Sequence, residues 1–159
     1  MVIKIKDSEI IDKELKEDQT LSRQYFVPEI MKKVLEKEKQ SLSLQSECVD
    51  DATLKRIGSM IRESPHIKKI NLMENKISNF DFIAEIFCKV ERIVLSNIFL
   101  NQDNNRIKEL PIKCERMKEI KYLYLKETNL EGISSSIGNL RQLQVLEISW
   151  NQNLKEIPD

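Results

Sequence analysis

The side chains able to do chemistry in this chain are few and far apart. His66 is the only histidine, and it follows Pro65 in a segment entering a strand, where it reads as an exposed loop residue rather than a general base. Cys48, Cys88 and Cys114 form no C-x-x-C pair, and one histidine cannot complete a zinc set of usual spacing with them. Gly58, Gly132 and Gly138 are the only glycines. That excludes a Walker loop and a dinucleotide fingerprint, both of which need clustered glycines for close approach to phosphate. Asp103, in "SNIFLNQDNN", lacks the D-x-D-x-D-G order of a calcium loop and reads as part of a surface loop. The remaining carboxylates lie in charge-alternating stretches from which no acid–base pair stands out. The expectation is a protein that is not an enzyme and uses no cofactor or metal, so its function must reside in a surface.

That surface has to be positioned by elements, and the spacing of apolar residues defines them. Leu123, Leu125, Thr128, Leu130, Ile133, Ile137, Leu140 and Leu143 recur about 23 residues later as Leu146 and Ile148. The same series appears earlier as Ile70, Leu72, Asn75, Ile77, Phe80, Ala84, Phe87 and Val90. Ile93, Leu95, Asn105, Ile107, Leu110, Cys114, Met117 and Ile120 fit once Ser96 to Gln102 are treated as an insertion. Pairs such as Leu123 and Leu125 are two apart, the spacing of inward side chains on a strand. Asn75, Asn105 and Asn151 stand where the chain must leave the strand, and an Asn there can hydrogen-bond backbone groups left unpaired by the turn. Thr128 and Glu47 hold that slot in two other units. An earlier unit, with Leu42, Leu44, Cys48 and Val49 in its strand and turn, is longer. Its extra residues predict a helix from Asp51 to Glu63 with Leu54, Ile57 and Ile61 on one side.

The pattern L-x-x-L-x-L-x-x-N-x-L resembles that of leucine-rich repeats. The longer unit is similar to the ribonuclease-inhibitor class. "LPIKCERMKEIKYLYL" and "SSSIGNLRQLQVLEI" are similar to shorter Ras-associated and plant-type repeats, and "LEISWNQNLKEIPD" to the plant-type turn. The resemblance implies an α/β fold: a curved solenoid with parallel strands on its concave face and helices or extended turns on its convex face. About five repeats would span residues 41–159, the last incomplete. Each repeat would be stable only against its neighbours.

Residues 1–40 precede the repeat frame. In "YFVPEIMKKVLEKEKQ", Pro28 can open a helix with Ile30, Val34 and Leu35 as its apolar stripe, which suits a cap on the first repeat. "FVPEIMKKVL" is also similar to the first helix of an F-box, which implies a substrate receptor of a ubiquitin ligase. The last residues, "KEIPD", fall inside a repeat. The expectation there is a fragment of a longer protein, or an apolar edge of Leu146, Ile148, Leu154 and Ile157 through which the chain associates with a second copy or partner.

The 159 residues match about one domain, and 40% apolar content recurring this regularly can furnish a core. Twenty-six basic residues balance 26 acidic ones, so no bulk field favours nucleic acid or an anionic membrane as partner. The N-terminal residues, broken by charges, lack the apolar run of a signal peptide, and no apolar run reaches the length of about 18 residues that a spanning helix needs. Three cysteines, an odd number, with Cys114 in a slot held elsewhere by Ala84 and Ile137, suit buried or free thiols and a cytoplasmic protein.

The repeat frame also orders the outward side chains. One column reads Ser41, Lys69, Arg92, Tyr122, Val145; the next Ser43, Asn71, Val94, Tyr124, Glu147; the third Gln45, Met73, Ser96, Lys126, Ser149, with Trp150 one residue beyond. Aromatic and apolar residues gather in the later repeats. Tyr, Trp and Arg often dominate interfaces, each contributing about 2 kcal/mol or more when central. Arg92, Val94, Tyr122, Tyr124, Lys126, Glu147 and Trp150 are therefore the candidate partner-binding residues. The same Tyr122 and Tyr124 could instead serve only to pair across strands with Arg92 and Val94. The functional expectation is a non-catalytic module binding a protein or peptide on the concave face. Similarity of the longer repeat to those of Ran GTPase-activating proteins and tropomodulins implies, as an alternative, a regulator of a small GTPase or of actin. A third is the recognition part of a larger signalling or ubiquitin-ligase protein.

Overall fold

A computed structural model of the chain describes residues 29–34, 36, 39–98 and 104–158. Alternation of polar and apolar residues produces seven short strands: β1 Ser41–Ser43, β2 Lys69–Asn71, β3 Arg92–Val94, β4 Glu109–Leu110, β5 Tyr122–Tyr124, β6 Gly132–Ile133 and β7 Val145–Glu147. Five of them form one parallel sheet in the order β1-β2-β3-β5-β7. The fold is thus mixed α/β. Leu42, Ile70, Ile93, Leu123 and Leu146 are register partners along its centre, the row that spacing predicts.

Connections between these strands vary with the length of sequence available. A helical segment, α1, covers residues 29–34, and its Ile30 and Val34 are fully buried in the same core as the sheet. The β1–β2 connection carries α2, Asp51–Arg62. The Asp50 carboxylate accepts from Thr53 N and so satisfies one of the amides a helix start leaves unpaired. Leu54, Ile57 and Ile61 are buried as their spacing requires, while Glu63 is the C-cap rather than a helical residue. The next connection holds α3, Phe80–Ile86, capped by Asn79. Among the described residues, the β3–β5 and β5–β7 connections hold only 3₁₀ turns as helical structure, Ile112–Arg116 and Ser135–Asn139. A short helix between β2 and β3 and a 3₁₀ turn between β5 and β7 both return the chain within a spacing of 23 residues. On this return side, β4 and β6 pair in a second, two-stranded parallel sheet, a feature the apolar period does not distinguish from extended turns.

Asparagines hold the turns between the two limbs. Asn105 accepts from Ile77 N at 3.0 Å and donates to the carbonyls of Leu72 and Leu95 at 2.7 and 2.8 Å. Asn75 does the same for Val49 N and Leu44 O, and Asn151 for Thr128 N, Leu130 N and Leu125 O. Thr128, lacking an amide, still donates to the Leu125 carbonyl. Asn97, inside the expected insertion, adds a bridge from Asn105 O to Glu127 O. Residues 99–103, the remainder of that insertion with Asp103, lie outside the described residues, as do residues 1–28 and Leu35, and with them both ends of the F-box-like stretch.

Three local expectations are corrected. Cys48 does not join Val49 inside: it is exposed, with a left-handed φ of 55° that turns its side chain away from the core. His66 is not a free loop residue: half-buried, its Nε2 lies 3.2 Å from the Val34 carbonyl and ties the β2 entry to α1. Ser96 is buried, not on the outward face, because its hydroxyl accepts from Lys126 N at 3.1 Å. Cys114 is fully buried, and burial pushes its thiol pKa up.

Candidate functional site

Register places the candidate residues side by side on the sheet face opposite the core. Lys69 partners Arg92, Arg92 partners Tyr122, and Tyr122 partners Val145 in one row. Asn71, Val94, Tyr124 and Glu147 are successive partners in the other. Strand neighbours are about 4.8 Å apart, so side chains in each row are in contact range. Arg92, Val94, Tyr122 and Tyr124 are half-buried, while Val145 is 37% exposed and Trp150 68%.

Two cation–aromatic contacts organise the face. The Arg92 guanidinium lies 4.5 Å from the centroid of the Tyr122 ring, and Lys126 Nζ lies 5.9 Å from that of Trp150. Each supplies roughly 0.5–1 kcal/mol at an exposed site. Arg92 Nε is buried and has no hydrogen-bond partner among the described residues. The Tyr122 hydroxyl donates to Gln144 Oε1 at 2.9 Å. Glu147 accepts from Ser149 N at 3.0 Å, and hydrogen bonding by Ser149, with a smaller effect of the Lys126 charge, holds its carboxyl below the usual glutamate range. The cross-strand pairs Arg92–Tyr122 and Val94–Tyr124 therefore exist as geometry. Trp150 is not explained by them.

The backbone at Trp150 explains why its ring stands out. Ser46, Glu74, Glu127 and Trp150 each follow their strand by three residues and all adopt φ between 56° and 59°. This recurrent left-handed step turns the chain out of the sheet without a single glycine. It disfavours bulky residues, and a large aromatic there is an outlier among turn residues. The sequence frame located Trp150 but not its strain, since no Gly or Asn marks the step.

Other clusters serve different ends. At the strand entries, Lys68 pairs with Glu119 at 3.1 Å and Lys121 with Glu91 at 2.9 Å, a bond that lowers the Glu91 pKa. A hollow of about 550 Å³ on the return side is lined by Asp81, Leu110, Ile112, Lys113 and Ile133, and the Lys113–Asp81 ion pair at 2.9 Å lies across it. Among the described residues, no group of three or more His, Cys, Asp or Glu side chains could hold a metal ion, and no helix is long and apolar enough to cross a membrane.

No protein-family model matches the chain, and no curated protein matches it either. Among solved structures, it is similar to a chain in a structure of Chaetomium Mex67:Mtr2 subunits, at 13% identity and a TM-score of 0.43, over 75% of this chain and 99% of that one.

Proposed function

We propose that the chain is a leucine-rich-repeat solenoid that binds a protein or peptide, without catalysis, on the outward and concave face of its parallel sheet. The in-register parallel strands, the asparagines bridging successive turns and the 23- to 30-residue spacing of equivalent strand positions support the repeat assignment. In this reading α1 caps the first repeat, since Ile30 and Val34 complete its core. Free Cys48, Cys88 and Cys114 support a cytoplasmic location.

The observation that carries the binding assignment is Trp150. It is 68% exposed, in a left-handed backbone conformation, with its ring beside Lys126 and three residues beyond β7, the strand that pairs with Tyr122 and Tyr124. A residue that neither fills the core nor suits its turn has local costs that an interface offsets. The test is an affinity capture from cell lysate with three forms: the natural chain, a Tyr122→Ala/Tyr124→Ala/Trp150→Ala variant and a Lys113→Ala/Arg141→Ala variant on the opposite limb. Capture of a partner by the first and third but not the second is expected. Loss confined to the Lys113/Arg141 variant would refute the assignment.

A further inference from the structure

Resting on the docking reading above, we propose that the face selects an acidic, extended peptide, its carboxylates held by Lys69, Arg92 and Lys126 and an apolar side chain lying against Val94, Tyr124 and Trp150. The protein as a whole is neutral, so the local imbalance is informative. Lys69 and Arg92 are direct cross-strand partners. Like charges in that arrangement repel and destabilise a sheet. Neither they nor Lys126 forms a close ion pair among the described residues, although Glu91 and Glu147 feel the charges of Lys69 and Lys126, whereas Lys68, just before β2, and Lys121, just before β5, are paired at 3.1 and 2.9 Å. Glu147 is the one carboxylate in the two strand rows, and Ser149 N already occupies it.

An external carboxylate would relieve the repulsion between Lys69 and Arg92. Arg92 is prearranged for that task, because its guanidinium already lies over the Tyr122 ring and loses little freedom on binding. Three cations are too few to make phosphate-backbone contacts the main source of affinity, which favours a peptide over a nucleic acid.

The test is selection of random 12-residue phage-displayed peptides on the natural chain, followed by titration of the selected peptides into natural, Lys69→Gln/Arg92→Gln, Lys69→Gln and Trp150→Asn forms at low and high salt. Enrichment of Asp or Glu around an apolar residue is expected, with affinity falling roughly tenfold in the double variant and weakening with salt. The exposed single change Lys69→Gln, and the salt series on the natural chain, carry the same reading if the double variant does not fold. Peptides without acidic enrichment that are lost on Trp150→Asn but kept by Lys69→Gln and by high salt would overturn the acidic preference and leave the docking face standing. No selected peptides, or peptides indifferent to every variant, would overturn both. Displacement of the peptides by a twelve-residue uridine oligonucleotide would overturn the choice of peptide over nucleic acid.

Discussion

The two ends of the sheet use apolar residues in opposite ways. At β1 the outward positions are Ser41, Ser43 and Gln45, all exposed, while Leu42, Leu44 and Val49 behind them are buried beneath the 12-residue α2. At β7 the inward Leu146, Ile148 and Leu154 are only half-buried, Ile157 is 64% exposed, and Val145 and Trp150 face outward. Burial is therefore most complete at β1, and the residues proposed for recognition gather at β3, β5 and β7. The proposed solenoid would permit this separation, because each layer would depend mainly on its neighbours.

Core truncation should expose the difference most strongly. Phe87→Ala, at a fully buried position, is expected to lower unfolding stability by about 3–5 kcal/mol, whereas Ile148→Ala at the open end should cost only about 1–2 kcal/mol in the same urea titration. Equal costs would remove the distinction. The asparagine turns sharpen it: Asn105→Ala abandons one amide and two carbonyls in a dry interior and should cost about 3 kcal/mol.

Thiol labelling gives a third, kinetic comparison. Cys48 should react first, the half-buried Cys88 more slowly, and Cys114 only on opening of the fold, since burial both hides it and disfavours its thiolate. Rapid modification of Cys114 in the native protein would contradict the packing described. The smallest effect belongs to Glu147. Its pKa is lowered in the folded chain, so its contribution is present above the ordinary glutamate range and is lost as pH falls through the lowered value. The stability difference between the natural chain and Glu147→Gln should accordingly be slight at neutral pH and vanish on acidification.

Much of this was legible in the residues themselves. Inward rows such as Ile70, Ile93 and Leu123 repeat at strand spacing, and register then orders Lys69, Arg92 and Tyr122 beside one another. What the pattern hid is local and polar. Ser96 looks like any outward strand residue until its hydroxyl is seen accepting from Lys126 N, and Asn97 is one amide among several in an Asn-rich stretch. The left-handed step at Ser46, Glu74, Glu127 and Trp150 carries no glycine to announce it. Stacking of Lys126 on Trp150 depends on that step and could not be read from spacing.

The separation of stability from recognition is tested most directly by Trp150→Asn, with urea unfolding and binding of the captured partner measured on the same protein. Asn tolerates the left-handed conformation better than Trp, so the unfolding free energy should stay constant or rise by up to about 1 kcal/mol while binding is lost. A fall in stability of about 1 kcal/mol or more with binding intact would contradict the account and make Trp150 a structural residue.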